Sequence, residues 1–550
     1  MAGDQEYDVV VIGSGAAGLS AALSAAANGS RVLVLEKSNL IGGTSALSGG
    51  GIWVPCHHHQ TEIGASDSRE EALDYIRAIA PDGWHNVEEP LWVAFVEHAP
   101  EMLAFVEAHS PLRFAPCYEP DPYVEAPGGK HFGRMLSPRP ISALPLGAWR
   151  KRIRGPMFSP WINYEEVHDS YFYARPKRIL LRLAPRMLYR IATGKRVMGN
   201  ALVVGLLRGC LSNGCAVWRD AVARHLIRQK GRVAGVSLER DGMSMEVRAR
   251  KGVVLASGGF EWNKQMMAEH FPGPVEWTGS PSTNTGDGHR MAAEVGAKFD
   301  RMDQALLFGT TAVDYEGQVR GAPAGDYYLP HSMVVNRHGR RFMNEKEMNV
   351  GLAFGIRDPH SGEPLHLPAW RIYDSQFASK YAMALPKTSA YATRFSDSTL
   401  QGLAGQIGVD PAGLVESAAR FNGFARAGRD EDFGRGDSFW DRQRMTDPNN
   451  RPNPTLGSIE APPFYAYPFK ASFLGTKGGP RTNARGQVVD QKDEVIPGLY
   501  AAGNAMANPF GTKAVGAGTT LGPCLTWGYI CGLRAHQEHA PGDEDSSINE

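Results

Sequence analysis

Tyr7–Lys37 reads YDVVVIGSGAAGLSAALSAAANGSRVLVLEK, and this stretch decides the fold. The apolar run Val9–Ile12 predicts a buried parallel strand, Gly13, Gly15 and Gly18 spell G-x-G-x-x-G, and Leu19–Ala27 continue as a helix of small residues. Each glycine has its own task. Gly13 permits the tight turn, Gly15 lets backbone approach a pyrophosphate, and Gly18 lets helix and strand pack closely, while the helix N-terminus offers positive potential to phosphates. Glu36 ends the second strand, RVLVLE, where an acid accepts hydrogen bonds from a ribose. An acid there favours an unphosphorylated ribose, so FAD or NAD is expected rather than NADP. A bare glycine motif would be equally compatible with a ligand-free strand–helix turn; strand, glycines, helix, second strand and acid in register favour the dinucleotide site.

A chain of 550 residues, 42% hydrophobic, is long enough for two or three domains with a large core. Its formal net charge is zero, so bulk electrostatics give no reason to expect nucleic acid as a partner. Val9–Ala27 is apolar enough to imitate a membrane span, but its glycines and strand–turn–helix order argue against one, and the acidic start MAGDQEYD is wrong for a secretory signal. Cys56, Cys117, Cys210, Cys215, Cys524 and Cys531 lack metal-ligand spacing. Reduced, mostly buried thiols in a cytoplasmic enzyme are expected.

Beyond the first unit, Ile41–Pro55 (IGGTSALSGGGIWVP) is too glycine-dense for a helix and too apolar for a linker, and should bring backbone close to something large and flat. Ala201–Gly259 reads as a helix, a strand near Ala216, a hairpin across Val233–Val247 and a strand VVLASGG that returns to the cofactor. From Asp287 to Lys470 the chain turns to longer loops, more aromatics and the proline cluster Thr446–Pro454, as an inserted domain would. From Phe473 the first domain's character returns, with EVIPGLYAAGN as a strand and Leu521–Leu533 as a closing helix. The expected α/β architecture is a Rossmann-type FAD-binding domain (1–288 and 471–538) interrupted by an α+β substrate domain (289–470), with a basic lid segment at 150–198 and a disordered tail at 539–550.

These blocks together resemble the flavoprotein family of fumarate reductases and 3-ketosteroid 1-dehydrogenases. The resemblance runs through GRVAGV, GVVLASGGFEWN, SPSTNTGDGHRMAAEVGA, VVNRHGRRFMNE, TKGGPRTNARGQV, GLYAAGN and GAGTTLGP. GGFEWN, SPSTNTGDG and YVEAPGG (Tyr123–Gly129) are most similar to the ketosteroid branch. The resemblance implies FAD as cofactor. It implies a C=C bond introduced next to a ring ketone of a steroid or bile-acid-like substrate, with electrons passed to an external acceptor such as a quinone. Candidate cofactor-binding residues are Gly13, Gly15, Ala16, Ala17 and Gly18; Glu36 and Lys37; Gly43, Thr44, Ser45, Ser48, Gly49, Gly50 and Gly51; Ala221, Val222, Ser257, Gly258 and Asp287; Gly503 and Asn504; and Gly518, Thr519, Thr520 and Leu521.

The family's catalytic residues carry over unevenly. Gly518 matches the backbone donor that polarises the 3-keto oxygen, but Ala514 holds the place of its tyrosine partner. Asn349 holds the place of the tyrosine base that follows an asparagine–glutamate pair like Asn344–Glu345, while Tyr123 matches the supporting tyrosine. Removing an α-proton still needs an acceptor. The replacement candidates are Tyr164, Tyr171 and Tyr173 in NYEEVHDSYFY, Tyr327 and Tyr328, and His331, with Tyr123 nearby. Rival readings are alkene or enone reduction of the fumarate type, a smaller alicyclic ketone as substrate, or a flavin-binding protein without catalysis. The substrate pocket is expected between 287–470 and the flavin face built by Ser48–Trp53 and Gly516–Thr520, and it should be largely apolar.

Two further features invite a reading. Consecutive histidines on a loop do not readily converge on one ion, so His57, His58 and His59 are read as a solvated or substrate-entrance loop, and no metal is expected. Arg175–Arg196 carries eight basic residues and no acid, with Ile179, Leu183, Met187 and Ile191 every four residues and Leu180 and Leu188 beside them. An amphipathic basic helix kinked at Pro185 follows, read as a lid packed on its own protein in preference to a membrane-surface contact. The protein is placed in the cytoplasm, with peripheral membrane association as the variant.

Overall fold

The computed structural model describes residues 5–157, 160–168, 171–271, 275, 277–323, 326–348, 350–385 and 394–539. Asn349 and the tail from residue 540 lie outside the described residues.

Val9–Ile12 has no polar side chain to offer water, and the strand Gln5–Ile12 runs through the middle of the first sheet. Val32–Leu35 lies parallel on one side and Met243–Leu255 on the other. Ala216–Trp218 extends the sheet beyond the former, and Val495–Ala501, also parallel, beyond the latter. Parallel strands buried on both faces read as continuous apolar runs, which is why VVVI, VLVL and VVL were legible. Ala221–Gln229, Arg232–Arg240 and Met243–Leu255 form an antiparallel meander, one strand more than the expected hairpin.

The helix Ala16–Ala27 lies against Leu521–Gln537 at the other end of the chain. The contact is close because it is built from glycines. A Cβ on Gly528 would sit 2.3 Å from the Ala17 carbonyl oxygen, and one on Gly532 2.2 Å from that of Ala21. Ser20 Oγ and Ser24 Oγ donate to the Leu525 and Tyr529 carbonyls at 2.7 and 3.0 Å. The first helix is therefore packed against an element from the other end of the chain.

The insertion is organised on an antiparallel sheet ordered Gln318–Pro323, Ala305–Tyr315, Phe464–Thr476, Ala369–Tyr373 and Ser332–Val335, with Phe395–Asp397 also paired to Phe464–Thr476. Leu403, Leu414 and Phe421 of the helices Leu400–Ile407 and Pro411–Ala427 bury against it. Phe464–Thr476 runs through the boundary expected near 470, and Thr476 bonds to Glu261 and Phe260.

Pro176–Ala192 is a helix with Pro185 inside it. Its expected stripe is only half right. Ile179 and Leu183 are buried against Ile162, but Ile191 and Leu188 are exposed. Arg190, one of the eight basic residues, is buried and donates to both Glu166 oxygens at 2.6 and 2.8 Å. All six cysteines are free, five of them buried. Among the described residues no helix is long and apolar enough to cross a membrane.

Candidate active site

One cleft of about 450 Å³ runs from the glycine turn of the first strand to an apolar wall at the insertion. Its dinucleotide end is lined by Gly13, Gly15, Glu36, Lys37, Gly43, Thr44, Ser45, Ala221, Ser257, Gly258 and Asp287, all expected there. Ser48, Gly49, Gly50, Gly51, Asn504, Gly518, Thr519, Thr520 and Leu521 continue the lining. Ala16, Ala17, Gly18, Val222 and Gly503 do not line it. Gly18 and Gly503 are packing positions: an added Cβ would lie 2.0 Å from the Gly13 carbonyl oxygen and 2.9 Å from the Ala17 Cβ. Ala16 acts through its backbone N–H, which donates to Ser45 Oγ at 2.9 Å.

The three motif glycines are not equivalent. A Cβ on Gly13 would strike the Ala256 carbonyl at 2.3 Å, and φ there is +110°, so the fold itself demands glycine. At Gly15 the nearest atom to an added Cβ is Ser45 Oγ at 3.5 Å, and φ is an ordinary −71°. Nothing in the protein forbids a side chain at Gly15; the space beside it, at the N-terminus of Ala16–Ala27, fits a pyrophosphate. Glu36 is buried, accepts from Ser14 Oγ and N (2.5 and 3.2 Å) and from Ser38 N (2.8 Å), and lines the cleft. Burial pushes its carboxyl upward against those hydrogen bonds. Lys37 Nζ is held by Asp287 and Thr285 at 2.5 and 2.8 Å. These residues fit FAD.

The far end is lined by Met135, Met157, Ile162, Val167, Phe172, Tyr173, Leu306, Phe308, Met348, Met445, Leu474, Ala514 and Ala517. The pocket is apolar as expected, but much of its wall comes from 157–173, which precedes the insertion. Gly518 lines it with φ +86°, and among the described residues no hydrogen bond uses its N–H. A Cβ there would lie 2.7 Å from the Gly51 carbonyl oxygen and the Ile52 Cα, so this backbone approach needs glycine.

Besides Tyr173, three polar side chains interrupt the apolar wall: Tyr164, His168 and Arg444. Buried Asn163 fixes the start of the short helix Tyr164–His168, donating to Pro138 O at 3.1 Å and accepting from Met198 N at 3.1 Å. Tyr164 Oη donates to buried Glu119 at 2.7 Å, and Arg444 Nη1 pairs with the other Glu119 oxygen. Burial pushes the Tyr164 phenol well above its ordinary value, although the Arg444 guanidinium pulls the other way. His168 stacks beside Tyr164 with ring centroids 4.0 Å apart. Burial, then Arg444, push its imidazole well below the usual range, so it is neutral near pH 7.

Of the proton-acceptor candidates, the structure brings only Tyr164 and Tyr173 to the cleft. Tyr171 points toward Gln443 at 3.5 Å. His331 Nδ1 faces the Ser458 carbonyl at 2.8 Å, in a backbone pressed against Gly457. Tyr327 and Tyr328 are core aromatics, Tyr327 packing on Phe469 at 4.9 Å. Tyr123 donates to Glu347 at 2.6 Å and lines a separate cavity of about 320 Å³ with Asn344, Glu347, Trp440 and Asp441. Met348 lines both cavities. Glu345 is a structural anchor: despite burial, Arg341 and Arg435 hold its carboxyl down at about 2. His168, Glu119 and Arg444 were missed. His168 was within reach, because NYEEVHDSYFY was already singled out; Glu119 and Arg444 carry no local pattern.

The histidine run needs correction. His58 Nε2 and His59 Nε2 both lie 3.0 Å from Glu107 Oε2, so adjacent histidines do converge. The 3-10 turn His58–Ile63 meets Glu107 near the end of the helix His85–His109, and the His58 and His59 rings lie with centroids 4.1 Å apart.

Comparison with known proteins agrees with this geometry. A family model described as FAD binding domain matches residues 8–521. The chain is 38% identical to a 3-oxosteroid 1-dehydrogenase of Mycolicibacterium smegmatis, covering 96% of this chain and 97% of that one. It is 34% identical to a 4-oxocyclohexanecarboxylate 2-dehydrogenase of Sinomonas cyclohexanicum, over 98% and 94% of the two chains. A solved 3-ketosteroid Δ1-dehydrogenase from Sterolibacterium denitrificans, in complex with 1,4-androstadiene-3,17-dione, superimposes with TM-score 0.89 at 34% identity, covering 97% of this chain and all of that one.

Proposed function

We infer that this chain, which belongs to the FAD binding domain family of flavoproteins, is an FAD-dependent dehydrogenase that introduces a C=C bond next to the ring ketone of a 3-ketosteroid or bile-acid-like steroid. The observation that carries this reading is the continuity of the cleft: a dinucleotide cradle opens directly onto an apolar chamber ending on the Gly518 N–H. Bound FAD supplies the acceptor for the β-hydrogen, which leaves as hydride. The Gly518 N–H polarises the ketone oxygen and stabilises the developing enolate, a role worth about 3–4 kcal/mol of barrier for a single donor. Tyr164 Oη takes the α-proton while handing its own to Glu119, and Arg444 holds Glu119 in place. The surrounding methionines, Phe308 and Leu474 keep water from the enolate.

Anaerobic mixing of the FAD-loaded enzyme with a saturated or 4-ene 3-oxosteroid should bleach the oxidised flavin spectrum. Bleaching by 4-oxocyclohexanecarboxylate but not by steroids would move the assignment to small alicyclic ketones. Reoxidation of photoreduced flavin by an enone, without bleaching by any ketone, would make it a reductase. Silence in all these assays would leave a flavin-binding protein without this chemistry. The Arg444 guanidinium, already paired with Glu119, argues against an acid-bearing small ring.

The helix Pro176–Ala192 fits delivery of such a lipophilic substrate. Its inner face packs on Ile162, whose neighbours Val167 and Phe172 also line the cleft. Outward it shows Leu181 (79% exposed), Leu188 (67%), Tyr189 and Ile191 among exposed Lys177, Arg178, Arg182 and Arg186. Apolar residues ringed by cations suit an anionic bilayer surface, where each Lys or Arg contributes about 1 kcal/mol. A quinone in that bilayer would serve as electron acceptor. The protein should co-sediment with phosphatidylglycerol vesicles and not with phosphatidylcholine ones, and Leu181→Glu/Leu188→Glu should release it. Equal sedimentation of both proteins would rule out this surface.

A further inference from the structure

None of the three residues His58, His59 and Glu107 lines the cleft described above. One ligand atom from each of the three falls within 4.8 Å of the other two. The supporting groups are arranged as well. Glu107 is buried, and its Oε1 accepts the Phe114 backbone N–H at 2.8 Å, so the carboxylate cannot swing away. His59 has its other ring nitrogen, Nδ1, 2.5 Å from Glu62 Oε1.

That second contact sets the chemistry. A neutral imidazole has one N–H. If Nδ1–H donates to Glu62, the Nε2 lone pair faces a carboxylate oxygen 3.0 Å away, which is repulsive unless a cation lies between them. A carboxylate behind a ligating histidine fixes the tautomer and raises the basicity of the ligand nitrogen. Two imidazoles and a carboxylate form a donor set for a divalent ion of zinc type, with a remaining position for water. The His58 side chain is half exposed, which gives the ion access from solvent.

We propose that His58 Nε2, His59 Nε2 and the Glu107 carboxylate form a zinc-type divalent-metal site, with Glu62 as the outer carboxylate, that clips the turn His58–Ile63 to the end of the helix His85–His109. The alternative occupant of the same geometry is a proton: with His59 as imidazolium both of its contacts become ordinary charge-assisted hydrogen bonds.

The two are separated by metal content and stability on the FAD-loaded holoenzyme. After incubation with zinc sulfate and dialysis against metal-free buffer at pH 7.5, elemental analysis should return about one zinc per FAD, the stoichiometry of a three-ligand site with one open position. Glu107→Gln and His58→Asn should retain FAD and lose the zinc, and Glu62→Gln should weaken binding about 10–100-fold. Zinc should raise the melting temperature of the wild-type protein and not of His58→Asn, while flavin reduction by substrate stays the same with and without metal. Should Glu107→Gln fail to fold, the half-exposed His58→Asn carries the comparison alone. Zinc retention that is the same in wild type and His58→Asn, or no saturable uptake by the wild type, overturns the proposal and leaves the proton as occupant.

Discussion

Gly15→Val is expected to yield a folded protein without flavin. The expectation rests on the contrast among the three motif glycines. A side chain at Gly13 or Gly18 would drive into backbone at 2.3 and 2.0 Å, so substitution there damages the fold and tells nothing about the ligand. At Gly15 an added Cβ meets only Ser45 Oγ at 3.5 Å, and the backbone (φ −71°, ψ −177°) is extended and open to any residue. What the valine would fill is the approach to the N-terminus of Ala16–Ala27, where the pyrophosphate belongs. Acid precipitation of the wild type should release FAD at close to one per chain, and the variant should release almost none while keeping its far-ultraviolet circular dichroism. Its melting temperature should fall to that of the apoprotein, because a ligand present at a hundred times its Kd contributes about 2.7 kcal/mol. Gly15→Ala should retain part of the FAD. Stoichiometric FAD in the valine variant, or release of FMN or NAD from the wild type, would contradict this account of the cradle.

How far the sequence could be read depended on whether a feature was local. VVVI with its glycines, VLVLE and VVLASGG each carry their own period, and all three became neighbouring strands. The closing helix at Leu521 was legible because it shares the first domain's small-residue composition, and that composition is what lets Gly528 and Gly532 seat on Ala17 and Ala21. The basic helix shows the limit of a simple count. Apolar residues every four positions advance about 40° per step on a helix of 3.6 residues per turn, so by the third step the stripe has turned roughly 120°. Ile179 and Leu183 are buried, Met187 lies at the margin and Ile191 has rotated into solvent, while Arg190 takes the inner place because Glu166 is there to meet it. Nothing near Arg175–Arg196 announced Glu166's role. The same reason hid Glu119 and Arg444, which lie 325 positions apart and mean something only when a tyrosine hydroxyl joins them.

Tyr164→Phe should slow flavin reduction at saturating steroid by about 10²–10⁴-fold, the usual contribution of a positioned proton acceptor, with FAD content unchanged. Phenylalanine keeps the ring that stacks on His168 and fills the space beside Gly49, so only the hydroxyl is lost. Ala514 has no side-chain group to donate to a ketone, and Asn349 cannot serve as a base, which leaves Tyr164 and Tyr173 as the phenols at the cleft. Tyr164 is favoured because a carboxylate waits behind it. Its phenol lies well above the ordinary value, so a mechanism that needs free phenolate at pH 7 would be starved of base. Passing the hydroxyl proton to Glu119 as the α-proton arrives removes that requirement, since neither oxygen need carry an isolated buried charge. Glu119→Gln should therefore slow the same step, and deuterium at the substrate α-carbon should be felt in the reduction rate of the wild type. Tyr123→Phe, Tyr171→Phe and His331→Ala, whose groups lie outside the cleft, should each stay within a few-fold of wild type. Near wild-type reduction by both Tyr164→Phe and Glu119→Gln would exclude the relay, and the neutral imidazole of His168, tested as His168→Gln, would become the acceptor to pursue.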